Sequence, residues 1–355
     1  MTNLYDAHSQ WLTRPADERF PDLTALHAFT QRRREESSED ARHFAHVHLA
    51  VTPEGAVAVN GETPPAYLTH WAFSQLATAV GAPARYLRSL PPQTVCDCLT
   101  HGLARSPERC KLLFRVRPYP NGSGEQVQIA AFTGPTYGRI WDADVTASLI
   151  EAVEGTGWHV PPAHPIHGSA SAGLYASDRD VFAFLVHDAN PVEIGDAKLS
   201  RGFFLWNSET GAATFGLTTF LFNTVCGNHI VWGAEHVNDI RIVHRHRAPD
   251  RFTREALPML NRFVESRTVT AAVTETVSRA MATKVGGACG EVLQWFAGKA
   301  FTKHEVIAGY QAGLNAGDDV ATLWGMIQGL TAAARTLPFA DARVDLERRA
   351  GALLN

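Results

Sequence analysis

Residues Lys111–Phe132 read KLLFRVRPYPNGSGEQVQIAAF, and this stretch decides the fold class. Apolar and polar residues alternate on either side of Pro120–Gly124, as they do in strands that bury one face. The proline, asparagine and glycine at the centre are residues that tight turns favour, so the stretch predicts an antiparallel hairpin. On the first strand, the residues directed to the core are Leu112, Phe114 and Val116. The cations on the opposite face, which we expect to be exposed, are Lys111, Arg115 and Arg117.

The rest of the chain predicts strands and helices in an irregular order around this hairpin. Period-two segments that predict further strands lie at 170–177, 180–187, 201–207 and 238–246. Helical spacing is found at 22–39, 68–106 and 142–155. Because strands and helices do not alternate regularly, we expect an α+β fold with a central antiparallel sheet, built from hairpins and covered by packed helices.

These elements divide the chain into three predicted parts. Residues 1–67 are expected to form N-terminal helices and a strand, residues 68–250 an α+β core, and residues 251–355 a helical bundle. The charge run at residues 32–36, RRREE, is interpreted as a solvated helix face. In the last part, Thr302 and Glu305 have the spacing of a capping box, which predicts a helix start, and Asp318 is expected to open the next helix.

The composition excludes several classes of protein. The chain has 355 residues, a formal net charge of −4 and 45% hydrophobic residues, which is ordinary for a globular protein. Its apolar runs are all shorter than the ~20 residues that a membrane-spanning helix needs, so we expect no membrane partner. The five cysteines form no CxxC pair, and the start MTNLYDAHSQW has no secretory signal pattern. A cytoplasmic protein with reduced thiols is therefore expected.

A thiol and an imidazole interrupt the apolar run FLFNTVCGNHIVWG at residues 220–233. Two interpretations compete, a Cys226/His229 active site and a buried turn. Residues three apart around Gly227-Asn228 do not ordinarily aim both groups at one substrate, and Gly-Asn is turn chemistry. The apolar neighbours imply burial, where a free cysteine behaves as a small hydrophobe. The buried turn is the favoured interpretation.

The sixteen histidines raise the question of a metal site. His46 and His48 share one face of a predicted strand, as do His244 and His246. The chain has no HExxH motif, and neither acidic clusters nor cysteines accompany these pairs. The GxGxxG, P-loop and GxSxG motifs are also missing. We therefore expect no metal or cofactor, and a metal-dependent hydrolase or nucleotide-modifying enzyme with a histidine site is the alternative hypothesis.

Cations that lie near aromatic residues in the sequence are the remaining candidates for a binding site. Arg139 and Tyr137 follow the hairpin, and the segment RIVHRHR at 241–247 predicts a strand with its arginines on one face. Guanidinium groups spaced along strands pair with phosphates, and tyrosine rings stack on unpaired bases. The alternative is a solvated face whose cations pair with acids on neighbouring strands. The candidate nucleic-acid-binding residues are Lys111, Arg115, Arg117, Tyr137, Arg139, Arg241, Arg245 and Arg247.

Three blocks of the chain resemble one known family. The blocks are WAFSQLATAVGAPARY at 71–86, TYGRIWDADV at 136–145, and NSETG at 207–211 leading to NTVCGN at 223–228. Their order and spacing are similar to those of the phage/plasmid-like proteins of domain of unknown function family 932. The resemblance covers residues 68–235. It implies a bacterial, phage or plasmid setting and names no activity.

The hairpin-rich core also resembles the single-strand annealing recombinases of mobile elements, which hold single-stranded DNA in a basic groove of a ring or filament. This resemblance implies a non-enzymatic mobile-element protein that forms a homo-oligomer and binds single-stranded nucleic acid. Because the net charge is negative, such binding would need a local basic groove. A host-interaction or anti-defence protein, which binds another protein, is a further alternative.

Overall fold

The computed structural model describes residues 18–62, 64–118, 124–160, 173–194, 197–223, 228–230, 240–265, 271–334, 336, 346 and 349–354. The fold is α+β, as predicted. The described residues form two six-stranded sheets and not one central sheet. The chain forms the first sheet from its earlier strands and then passes through a helix to the second, so each sheet is assembled from neighbouring parts of the sequence.

The first sheet has the strand order β1-β5-β6-β4-β3-β2. Its strands are β1 (Ser37–His43), β2 (Leu49–Val51), β3 (Val57–Val59), β4 (Ala66–Leu68), β5 (Arg109–Pro118) and β6 (Glu125–Thr133). Adjacent strands are antiparallel except β4 and β6. β5 and β6 form the predicted hairpin, with a register shift between Leu113 and Phe114, and residues 119–123 of its turn lie outside the described residues.

The first helix, α1 (Leu23–Glu35), packs with the second sheet. One face of the first sheet is covered by the next three helices, α2 (His70–Ala79), α3 (Ala84–Leu87) and α4 (Pro92–Leu103). The Thr69 hydroxyl caps α2 by accepting from the Ala72 N–H at 3.1 Å. The single helical segment predicted at 68–106 is divided into three helices, because Pro83 and Pro91 stand at the starts of α3 and α4. The buried side chains between helices and sheet include Leu76, Leu99, Leu112, Ile129 and Phe132.

The second sheet has the strand order β11-β10-β9-β8-β7, with β12 also paired to β10. Its strands are β7 (Leu174–Ala176), β8 (Val181–Ile194), β9 (Ala197–Asn207), β10 (Phe215–Asn223), β11 (Asn228–Ile230) and β12 (Ile240–Ile242). The helices packed with it are α1 (Leu23–Glu35), α5 (Asp142–Val153), α6 (Ala248–Arg251), a π-helical turn (Phe252–Ala256) and α7 (Leu257–Glu265).

The C-terminal helices have a core of their own. They are α8 (Ala271–Ala282), α9 (Cys289–Trp295), α10 (Lys303–Ala316) and α11 (Leu323–Ala334). The predicted capping box is confirmed, since the Thr302 hydroxyl accepts from the Glu305 N–H at 3.2 Å and the Glu305 carboxylate accepts from the Thr302 N–H at 2.7 Å. The helix expected to open at Asp318 begins later, because Asp318 lies in the turn that follows the left-handed Gly317.

The predicted boundaries cut through observed units. β1–β4 lie before residue 68 but share a sheet with β5 and β6, which lie after it. Likewise Phe252 and Leu260 lie after residue 250 but pack into the core of the second sheet. Within the described residues, no helix is both long enough and apolar enough to cross a membrane.

Candidate functional site at the junction of the sheets

The turn at residues 208–211, which follows β9, links the second sheet to the first through side-chain contacts. Trp71 Nε1 and Gln75 Nε2, both on α2, donate to the Thr210 carbonyl oxygen at 3.0 and 2.9 Å. The Gln75 amide oxygen in turn accepts from the Phe132 N–H of β6 at 2.9 Å. Two of the sequence blocks that carried the family resemblance therefore contact each other at this turn.

The third block reaches the same turn through Tyr137. Its hydroxyl donates to the Ser208 carbonyl oxygen at 2.7 Å. Its ring stacks on the His244 ring with 5.1 Å between centroids, and the Arg139 guanidinium lies 5.2 Å from its centroid. Burial raises the pKa of Tyr137 above its ordinary value. Because both the hydroxyl and the ring are engaged, the expectation that Tyr137 is a free stacking platform is wrong.

Glu209, in the middle of the turn, is 1% exposed and binds two arginines. Its Oε1 accepts from Arg115 of β5, and also from Arg33 of α1 at 3.4 Å. Its Oε2 accepts from the Asp142 N–H, at the start of α5, at 3.2 Å. Burial alone raises the pKa of Glu209, but Arg115 and Arg33 outweigh it, so the pKa lies below its ordinary value. Glu209 therefore remains a carboxylate and ties three elements together.

Asp142 is buried beside Glu209, and its pKa is shifted in the opposite direction. Burial first, and the Glu209 charge second, raise the pKa of Asp142 well above its ordinary value. Its Oδ1 accepts from Asn207 Nδ2 at 2.8 Å, and the same nitrogen donates to the Ile140 carbonyl oxygen at 2.8 Å. Since both carboxyl groups are buried, this arrangement supports the junction and offers no access to a substrate.

Three predicted nucleic-acid contacts do not lie on an open surface. Arg115 is 2% exposed and bonded to Glu209, and burial lowers its pKa to about 9. Arg139 is buried, with its Nε donating to Glu39 at 2.8 Å. Arg117 is half-buried, 3.8 Å from a Glu36 oxygen. The expected exposed row is wrong, because this face of the first sheet is itself packed, by Leu113, Ala130, Ala131 and Trp141.

Lys111 is half-exposed and lies at the edge of the junction. Its Nζ donates to the Tyr137 carbonyl oxygen at 2.9 Å. The loop around Tyr137 pairs with the chain after β12, since the Gly138 N–H donates to the His244 carbonyl at 3.3 Å and the His246 N–H to the Thr136 carbonyl at 2.6 Å. Lys111 is thereby held beside the loop to which the segment after β12 is also bound.

The segment 241–247 is not one strand, as its alternation suggested. β12 ends at Ile242, and the chain then turns at residues 245–248, where the Ala248 N–H donates to the Arg245 carbonyl at 2.9 Å and His246 has a φ of +42°. Arg241, Arg245 and Arg247 are all exposed, but they do not share a strand face. Arg247 pairs with Asp250 at 2.9 Å, and the Arg241 guanidinium lies 5.9 Å from the Trp206 ring centroid.

The sequence interpretation missed Arg33 and Glu209. Arg33 belongs to the charge run interpreted as a solvated helix face, yet it is 1% exposed and bonded to Glu209. The sequence offered one signal for Glu209. This glutamate lies in the block NSETG that carries the family resemblance, although turn formation does not require a glutamate there.

The residues of the two other chemical hypotheses, a histidine metal site and a Cys226/His229 site, lie apart from the junction in the sequence. His46 ends a 3₁₀ turn (Phe44–His46) and His48 precedes β2, so they do not share a strand face. Across the described ranges, no group of three or more histidine, cysteine or acidic side chains is placed to hold a metal. Cys226 lies outside the described residues, but β10 and β11 pair with Asn223 opposite Asn228, on either side of the expected turn.

The fold and the junction define an α+β protein whose two sheets are joined by a buried ionic network. The family model "Domain of unknown function (DUF932)" matches residues 131–334, more than half of the chain, and the chain belongs to this family. The match runs from β6 to the end of α11, so it excludes the block at 71–86 and includes the C-terminal helices, unlike the expected 68–235. The comparisons with curated proteins and with solved structures gave no match.

Proposed function

We propose that the protein binds single-stranded nucleic acid without an enzymatic step and assembles into a homo-oligomer. The observation that carries the binding proposal is a set of cations on β5 and on the segment 241–247, which are both bound to the loop at 134–138. Arg241 and Arg245 are exposed and Lys111 is half-exposed. Within the described residues, none of the three has a carboxylate partner. Unpaired cations can replace the counterions of a polyanion, which supplies most of the affinity for nucleic acid.

The same surface carries an exposed apolar side chain. Val243 lies between Arg241 and Arg245 and is 52% exposed. A single strand presents bases as well as phosphates, so a surface that alternates cations with an apolar contact suits it better than a surface of cations alone. In this proposal the buried Arg115 and Arg139 do not touch the strand. They stabilise the junction to which the loop at 134–138 is attached.

A charge-matched comparison tests the binding surface. The surface variant is Lys111→Gln/Arg241→Ala/Arg245→Ala, in which glutamine keeps a donor for the Tyr137 carbonyl. The control removes three exposed cations from other elements: Arg254→Ala/Arg279→Ala/Lys303→Ala. Fluorescence anisotropy of a labelled 30-nucleotide strand at low salt is expected to show at least ten-fold weaker binding for the surface variant than for the control, since each charge contributes separately. Equal affinities of the two variants would contradict the assignment of this surface.

Self-assembly is the second part of the proposal, and it is supported by the resemblance to annealing proteins. Native mass measurement of the chain, alone and with an excess of the 30-nucleotide strand, tests it. We expect a multiple of the 38.7 kDa chain mass in at least one of the two conditions. A monomer in both would contradict assembly and leave the binding result to be judged by itself.

A further inference from the structure

The helices α2 and α3 form a second surface that is basic and aromatic. The sequence has no aspartate or glutamate between Glu62 and Asp97, although the chain as a whole has a net charge of −4. Arg85 and Arg88 are exposed within this acid-free segment. A local excess of positive charge on an acidic protein attracts polyanions to that place and not to the rest of the surface.

Aromatic rings lie among these cations, and one of them is uncovered. The Arg88 guanidinium lies 4.8 Å from the Phe73 ring centroid and donates to the His70 carbonyl oxygen at 2.8 Å. Tyr86 is 60% exposed, the largest exposed fraction among the large hydrophobic side chains of the described part. Among the described residues, its ring has neither a stacked aromatic partner nor a cation–π partner. The Tyr86 ring is therefore open to a planar ligand group.

This surface and the segment 241–247 flank the same turn. On one side, Trp71 of α2 donates to the Thr210 carbonyl oxygen. On the other side, Tyr137 donates to the Ser208 carbonyl oxygen and stacks on His244, which directly precedes Arg245. An unbroken series of direct contacts thus runs from the α2–α3 surface to the proposed binding surface.

We infer that Tyr86 stacks on an unpaired base of the bound strand while Arg85 contacts a neighbouring phosphate. This inference rests on the proposed function and adds a reason for preferring single strands, because the bases of a duplex are stacked on each other and offer no free face to a side chain. An acidic peptide would pair with the arginines but would leave the Tyr86 ring without a stacking partner.

Two probes separate base stacking from charge. One is a labelled 30-nucleotide thymidine strand, and the other is a strand of the same length and charge made of abasic sites. Tyr86→Ala is expected to weaken binding of the thymidine strand about ten-fold, the usual effect of losing one base–aromatic stack, and to leave the abasic strand unchanged. Tyr86→Phe, which keeps the ring, is the matched control and should bind as wild type does. Because Tyr86 is mostly exposed, neither variant should disturb the fold.

The outcomes distinguish this inference from the proposed function. If wild type and Tyr86→Ala bind the thymidine strand with the same affinity, the stacking role is overturned. Weaker binding by Lys111→Gln/Arg241→Ala/Arg245→Ala would in that case still support the proposed function. Failure of the wild-type protein to bind either probe at low salt would overturn both. A poly-glutamate peptide that binds as tightly as the thymidine strand, with the same loss in Tyr86→Ala, would replace the nucleic acid by a protein partner.

The Arg85 contact has its own readout. Arg85→Ala should reduce the slope of log affinity against log salt by about 0.7, the value for one phosphate contact on a single strand. Arg85→Lys keeps the charge and should retain the wild-type slope. A slope that is the same for all three proteins would remove Arg85 from the site.

Discussion

Arg115 and Glu209 form a buried ion pair, although they are 94 positions apart in the sequence. The pair joins β5 of the first sheet to the turn after β9 of the second. Arg115→Ala leaves the buried charge of the Glu209 carboxylate paired, among the described residues, with Arg33 alone, at 3.4 Å. Removing one partner of a buried ion pair typically costs about 3–5 kcal/mol. We expect that loss in the free energy of unfolding, measured with urea.

Arg117→Ala is the matched control on the same strand. Its 3.8 Å contact with Glu36 is only half-buried, so we expect a loss below about 1 kcal/mol. Similar losses in the two variants would contradict the account of the junction. A folded Arg115→Ala protein should keep its affinity for a single strand.

The buried Asp142 should make stability fall as pH rises. The folded protein retains a proton that the unfolded chain loses above the ordinary pKa of 3.8, so stability decreases from that pH up to the raised pKa. Asp142→Asn removes the ionisation and keeps an acceptor for the Asn207 amide. Relative to wild type, the variant should gain stability as pH increases above 3.8, as measured by urea unfolding at several pH values. A difference that does not change with pH would be evidence against a protonated Asp142.

His244 should produce the opposite dependence at acid pH. Burial is the largest cause that lowers the pKa of His244 from 6.5 to about 4, so the unfolded chain takes up a proton before the folded protein does. Stability should therefore fall as pH decreases from 6.5 to 4, by on the order of 3 kcal/mol for the full shift. His244→Phe, which retains a ring against Tyr137, should flatten this part of the profile. The exposed His246→Phe is the control and should keep the wild-type slope.

The close contact between α10 and α11 depends on glycine. A Cβ on Gly329 would overlap the Gly309 carbonyl oxygen, whereas a Cβ on Gly290 of α9 meets nothing within 4 Å. Gly329→Ala should cost about 1–3 kcal/mol through overpacking, and Gly290→Ala should stabilise the helix by about 0.5–1 kcal/mol. Thermal unfolding of the two variants tests this. Equal shifts of the same sign would contradict the described helix contact.

The sequence predicted local structure better than the junction. The β5–β6 hairpin follows from alternation and turn residues that are close together in the chain. The burial of Arg115 does not, because its cover is supplied by Glu209 and Arg33, which come from distant segments. Alternation alone distinguishes the two faces of a strand but does not reveal whether the second face is covered.

The segment 241–247 shows a second limit of pattern reading. Its alternation continues past Ile242, but the strand does not, because the chain turns and pairs with the loop around Gly138. Exposure of Arg241 and Arg245 was expected correctly, while their common strand face was wrong. The cluster around Tyr86 was missed because it lies on helices, where the spacing of single aromatics carries little information.

The salt dependence of binding tests the central claim most directly. Affinity of the wild-type protein and of Lys111→Gln/Arg241→Ala/Arg245→Ala for the 30-nucleotide strand is measured from low to moderate salt. We predict that log affinity falls linearly with log salt for wild type, and that the slope is smaller by about 2 in the variant, at about 0.7 for each phosphate contact. A wild-type affinity independent of salt, or identical slopes for the two proteins, would contradict the claim.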